Sequence, residues 1–336
     1  MSKIKRSLKG LVINIRECLG ILIGLVIMCI ALSFLTDSFA TSANFFNVVR
    51  QITINIFLAC GMTLVILLGG IDLSVGSVIA VAGCVSAGMV TWVGMPVPVA
   101  ILIGILCGAT FGSLNGLIAC KTSIPPFIIT LSTMNIGRGI ARLYTGAKTI
   151  SVLDKQYTFL GTGQLLGLPV QFFLIILVVA VTSFILNKTQ FGRGVYFVGD
   201  NQQAARYTGI RVAKVTFLVF LYSGVLAAIA GVLSTARTFA ATMDMGTSAE
   251  MDAIAAVVLG GTSMSGGRGR LMGTVIGAVV IGVLINGMNL LGINTSWQYV
   301  VQGVVILLAV YIDFVKNNGF NHRLLVKKIR QKMTRG

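Results

Sequence analysis

The chain has 336 residues, 56% of them apolar and only 10% charged, whereas an ordinary soluble domain is about a quarter charged. A soluble globular fold of this length is excluded, because it has too little polar surface to cover so much apolar side chain. The net charge of +17, from 26 Lys and Arg against 9 Asp and Glu, would suggest nucleic acid in a soluble protein; here the basic residues sit between and beyond the apolar runs, so no nucleic-acid role follows.

The chain opens with Lys3, Lys5, Arg6, Lys9 and Arg16 in a basic segment, 1–18. The apolar run 19–35 has no charge, lacks a small-residue cleavage site and is followed by Asp37 and a polar turn, so it reads as an uncleaved anchor. Further runs at 52–69, 73–93, 97–119, 124–136, 169–186, 215–236, 251–263, 271–291 and 297–312 bring the expected number of membrane helices to about ten, judged against the roughly 20 residues a bilayer requires. The runs 124–136 and 251–263 hold 13 residues each and read as broken, tilted or longer than these limits. The expected fold is therefore all-α, a polytopic membrane helix bundle.

If the N-terminus is cytoplasmic and ten runs alternate, 20 of the 26 basic residues fall on the cytoplasmic side, as basic residues resist translocation. Both termini are then cytoplasmic, and Arg50, Arg138, Arg142, Lys148, Lys155 and Arg237 lie outside or within the bilayer. The organisation that follows is a basic segment 1–18, a membrane domain 19–315 with a cytoplasmic loop at 188–214, and a basic cytoplasmic tail 316–336.

Within the fourth run Gly104, Gly108, Gly112 and Gly116 recur every four residues along one helical face, a stripe that lets another helix approach closely. Gly20 with Gly24, and Gly273 with Gly277, repeat the spacing. A local echo links residues 68–74, Leu-Gly-Gly-Ile-Asp-Leu-Ser, with residues 259–265, Leu-Gly-Gly-Thr-Ser-Met-Ser.

No catalytic constellation is present: the only histidine is His322 in the basic tail. Cys18, Cys29, Cys60, Cys84, Cys107 and Cys120 stand singly, with no C-x-x-C pair, so neither a metal site nor a disulfide is expected. The Gly-rich stretch 260–269 has no Lys-Ser or Lys-Thr after its last glycine, so no cofactor is expected on this chain and ATP, if used, is bound by a partner. Polar residues within the apolar runs are mainly amides: Asn55, Asn115, Asn135, Asn286 and Asn289, with Gln298 and Gln302 in the last run. Uncharged amides suit the path of a neutral polyhydroxylated solute, and equally suit hydrogen bonds between helices. Asp72 falls at a helix boundary, and Asp154, Asp244, Glu250 and Asp252 in or beside external loops, which counts against a proton- or sodium-coupled carrier. In the loop 188–214, residues 200–207 form a short helix with an Asp or Asn cap that stops at Gly209, either a docking element or a solvated connector.

Five stretches carry a resemblance: Gly-Gly-Ile-Asp-Leu-Ser-Val-Gly at 69–76, Pro-Pro-Phe-Ile-Ile-Thr-Leu at 125–131, the loop 192–212, Leu-Gly-Gly-Thr-Ser-Met-Ser-Gly-Gly-Arg-Gly at 259–269, and Asn-Gly-Met-Asn-Leu-Leu-Gly at 286–292. With these the chain resembles, from about residue 44 to 313, the permease subunits of ribose-type monosaccharide ABC importers, a group that includes branched-chain amino-acid permeases. The resemblance implies a multi-pass subunit of the bacterial inner membrane. It implies as partners a second permease copy or paralogue, two ATP-binding cassette subunits, and a periplasmic or lipid-anchored sugar-binding protein. It also implies that the ATPase contact maps onto Gly199, Asp200, Asn201, Ala204, Ala205, Arg206, Gly209, Ile210 and Arg211. Thr208 departs from the serine more common before the Gly-Ile pair. The expected role is transport of a ribose-like sugar without an ATPase site on this chain. The alternatives are a secondary carrier, or an ABC permease for another pentose or hexose, an autoinducer-type sugar or a nucleoside.

Overall fold

A computed structural model describes residues 2–318; Met1 and residues 319–336, which hold most of the expected basic tail, lie outside the described residues. The elements in chain order are α1 (Ser2–Leu35), α2 (Ser42–Leu67), α3 (Val75–Thr91), α4 (Val97–Lys121), α5 (Pro126–Thr145), β1 (Ile150–Ser151), α6 (Lys155–Thr162), β2 (Gln164–Leu165), β3 (Leu168–Pro169), α7 (Val170–Lys188), α8 (Gln190–Asp200), α9 (Gln202–Tyr207), α10 (Val212–Thr238), β4 (Ala240–Ala241), α11 (Ala249–Leu259), α12 (Leu271–Leu290) and α13 (Thr295–Asn318). Five of the helices, α2, α4, α7, α10 and α12, are long and apolar enough to cross a membrane, and Leu19–Leu35, Val75–Thr91 and Thr295–Tyr311 are shorter apolar stretches. The chain is an all-α, multi-pass membrane bundle.

The outward faces agree with that environment. Val99, Leu102 and Leu106 on α4 and Ile176, Leu177 and Phe184 on α7 are exposed, a surface suited to hydrocarbon rather than water. At the centre, α10 packs against α2, α3 and α4. Gly104, Gly108, Gly112 and Gly116 are all buried along this seam. A Cβ on Gly112 would overlap Phe220 O, one on Gly108 would overlap Gly224 O, and one on Gly224 would overlap Gly108 O. The i+4 stripe thus lets two helix backbones touch, and van der Waals contact replaces the hydrophobic drive that lipid removes.

Three boundaries differ from the sequence expectation. Helix α5 has 20 residues, not 13, because Arg138 does not end it: the guanidinium finds internal acceptors in Met243 O (3.3 Å) and Met245 O (2.7 Å). Helix α11 has only 11 residues, stopped by Gly260–Gly261. Residues 190–200, expected in a connector, form α8, whose cap is Thr189 accepting from Gly192 N at 3.0 Å.

The connections collect at two ends. At one, the α2–α3 turn, the α4–α5 turn and α8–α9 surround a polar cavity of about 370 Å³. At the other, β1 pairs antiparallel with β4, β2 pairs with β3, and α6 inserts Tyr157, fully buried, with its hydroxyl 2.6 Å from that of Ser86.

Candidate functional site

The segment singled out in the sequence is built as two helices. Asn201, not Asp200, caps α9, its Oδ1 accepting from Ala204 N at 2.9 Å, and the chain turns at Gly209, whose N–H donates to Arg206 O at 3.1 Å. Ala204, Arg206, Tyr207 and Arg211 are exposed, and Ile210 is half-buried. Ala205 faces the other way and is buried in the chain itself. The paired alanines are therefore not equivalent: only Ala204 lies on the surface of the chain.

Gly199, at the end of α8, locks this segment onto the bundle. A Cβ there would overlap Leu67 O, the last residue of α2, and lie 2.7 Å from Gly267 N. Gly267 N itself donates to Leu67 O at 2.9 Å. Gly69, Gly266 and Gly267 adopt φ of +86°, +83° and +69°, values that glycine reaches without a Cβ clash. Three stretches of the sequence motifs, 69–70, 199–200 and 266–267, thus interlock through backbone alone. The echo between 68–74 and 259–265 is explained in part: both hold turns, and the two segments meet where a Cβ on Gly69 would lie 3.9 Å from Ser265 O.

The Asp of the Gly-Gly-Ile-Asp-Leu-Ser motif is buried above that knot. Asp72 Oδ1 accepts from Ser74 N (3.0 Å) and Ser74 Oγ (2.6 Å), and Oδ2 accepts from Ser223 Oγ (2.8 Å) on α10. Asn115 Nδ2 on α4 donates to Ser74 Oγ (2.9 Å), and Asn115 Oδ1 accepts from Thr133 Oγ1 (2.8 Å) on α5. One chain of hydrogen bonds therefore joins α10, the α3 entry, α4 and α5. Sequence reading placed Asp72 at a boundary but missed this role; an Asp two residues ahead of a Ser at a helix start is the local signal for it.

The amides are dispersed. Asn286 pairs reciprocally with Asn44 (3.1 and 2.9 Å), tying α12 to α2, and Asn289 Oδ1 accepts from Gln298 Nε2 (2.8 Å) on α13. Asn55 is buried on α2. Asn135 is exposed on α5 and donates to Leu131 O of its own helix at 3.1 Å. Glu250 and Asp252, expected in or beside a loop, stand beside one, in the first turn of α11, and Glu250 is buried. Acidic residues ahead of an apolar run are a helix-start signal. Among the described residues no group of three or more His, Cys, Asp or Glu side chains is placed to hold a metal ion.

Comparison with known proteins fits these features. Residues 44–310 match the family described as branched-chain amino acid transport system / permease component. The ribose import permease protein RbsC of Bacillus subtilis (strain 168) is 45% identical over 306 residues, 90% of this chain and 95% of the relative. RbsC of Escherichia coli (strain K12) is 40% identical over 296 residues, 87% of this chain and 92% of the relative. The D-allose transport system permease protein AlsC of Escherichia coli (strain K12) is 36% identical over 288 residues, 86% of this chain and 88% of the relative. No solved structure matches the chain. The glycine knot and the Asp72 network lie within the matched span, and the chain belongs to this family of transport-system permease components.

Proposed function

We propose that this chain is the membrane-spanning permease subunit of an ABC importer that carries a monosaccharide, ribose in the first instance, across a bacterial inner membrane. The observation that carries the reading is the 45% identity to a ribose import permease across 90% of this chain. In this reading the chain crosses the bilayer ten times with both termini cytoplasmic, as a membrane domain 19–315 between a basic segment 1–18 and a basic tail 316–336. Two permease copies assemble with two ATPase subunits that bind the ATP, and a periplasmic or lipid-anchored binding protein delivers the sugar. Residues 199–211 dock the ATPase through the exposed face of Ala204, Arg206 and Arg211. The interlock at Gly199 supports this, since a rigid element transmits a push that a floppy loop would absorb. Of the five amides, Asn55 and Asn135 are the path residues this reading retains, because Asn115, Asn286 and Asn289 already hold helices together.

The test is uptake. A bacterial strain without ribose import, given this permease with its own ATPase and binding protein, is expected to accumulate labelled ribose in an ATP-dependent manner. Accumulation of allose or xylose but not ribose would move the assignment to another sugar, and accumulation of no monosaccharide would overturn it. A cytoplasm-active reporter fused after Arg335 is expected to be active, and activity confined to a periplasmic reporter would reverse the topology.

A further inference from the structure

The connection from β4 to α11 does not stay at the β1–β4 end of the bundle. That end is marked by β1 paired with β4 and by Thr91 Oγ1 donating to Ser151 O at 3.2 Å. Yet Gly246 packs against the start of α3: a Cβ on it would lie 2.6 Å from Gly76 O and 2.8 Å from Ile79 Cβ. Gly76 precedes Thr91 by 15 residues in α3, which is about 22 Å along a helix axis. Residues 242–248 therefore plunge into the bundle as non-helical backbone to the level of the first turn of α3, with Ser248 at φ +63°, and α11 begins at that depth.

Arg138 fixes the plunge from α5 through its hydrogen bonds to Met243 O and Met245 O. Glu250 reaches the same place, where a Cβ on Gly76 would overlap its Oε2 and meet Arg138 Nη2 at 3.4 Å. That Oε2 is buried without a hydrogen-bond partner. The final glycine of the motif at 69–76 is thus a contact point for the plunging segment.

Irregular backbone at membrane depth persists only where protein buries it or water lines it. The segment is not wholly buried: Asp244 and Thr247 are exposed, as is Asn135 on α5. Asn135 and Arg138 are three residues apart and share a helical face. A carboxylate facing hydrocarbon is costly, so these side chains face water.

We propose that residues 242–248 form a wall of the solute path, with Asp244 and Thr247 hydrogen-bonding the hydroxyls of a passing sugar opposite Asn135, and with Arg138 as the positioning residue that holds the wall. The sugar part rests on the permease reading above; the water-lined wall does not.

The experiment uses the complete transporter in membrane vesicles. Thr247→Cys, Asp244→Cys, Leu102→Cys on the outward face of α4 and Leu166→Cys in the exposed β2–β3 turn are each treated with a small membrane-impermeant thiol reagent applied from the β1–β4 side. Mass spectrometry locates the label, and Cys60 and Cys84, both fully buried, serve as internal blanks. Positions 166, 244 and 247 are expected to label and 102 not, with label at 247 blocking uptake. Arg138→Gln is expected to lower the maximal uptake rate about tenfold, the worth of one hydrogen bond to a charged group, and to change the labelling rate at 247, with Arg138→Lys partly restoring both. Labelling at 166 but at neither 244 nor 247 would overturn the wall, and label at 247 without effect on uptake would overturn its place in the path. If no monosaccharide is taken up while 244 and 247 label, the sugar reading fails and the water-lined wall stands.

Discussion

Replacing Gly199 by valine is expected to abolish uptake and to leave the partner ATPase unresponsive to solute-loaded binding protein, while the permease still enters the membrane. The added side chain would occupy the space of Leu67 O, and Gly267 N lies within 2.7 Å of its first carbon. Backbone atoms on both sides cannot swing away as a side-chain tip would. Overpacking of this kind costs typically about 1–3 kcal/mol, too little to prevent assembly of a bundle this size but enough to part α8 from the turns at 69–70 and 266–267. Gly199→Ala should fall between valine and the native chain. The checks are membrane abundance, uptake and stimulated ATP hydrolysis measured on one preparation, with Ala204→Cys crosslinking to the ATPase in the native background. Normal coupling in Gly199→Val would show that the interlock transmits nothing.

Asp72→Ala is expected to destabilise the protein by about 3 kcal/mol or more. The substitution strands the Ser74 amide, the Ser74 hydroxyl and the Ser223 hydroxyl, and each buried polar group left without a partner costs about 1–3 kcal/mol. The loss spreads, because Asn115 depends on Ser74 Oγ, and Asn115 in turn receives Thr133. Asp72→Asn keeps one acceptor oxygen and should lose less. Thermal unfolding of the purified protein in detergent checks the order native, asparagine, alanine; an unchanged transition for alanine would remove the network from the account of stability.

Much of this architecture is legible in the sequence because it is local. Charge-free runs of membrane length find the long helices, and a four-residue glycine period finds the α4–α10 seam. A cap at Asp200 or Asn201 and the stop at Gly209 are readable for the same reason, with the choice of Asn201 left to the structure. What was not readable depends on partners far along the chain. Asn44 and Asn286 are 242 residues apart, so the sequence offers an amide at 286 without saying that another amide already answers it. Arg138 read as a break in an apolar run because its acceptors, the carbonyls of Met243 and Met245, are more than a hundred residues away. Ala204 and Ala205 are chemically identical, and only the packing of α9 onto the bundle makes one exposed and one buried.

The short α11 bears on how the chain is made. Its 11 residues extend about 16 Å, roughly half the hydrocarbon thickness, so it has neither the length nor the uninterrupted apolar stretch by which a nascent segment partitions from the insertion machinery into lipid. Residues 253–258 are all buried, and α11 packs against α2, α3, α12 and α13. Two of those neighbours leave the ribosome after it. Order of synthesis and order of packing therefore part company here: the enclosure of α11 is complete only once its downstream neighbours α12 and α13 have been made, and a chain truncated before α13 lacks one of the four helices that enclose it.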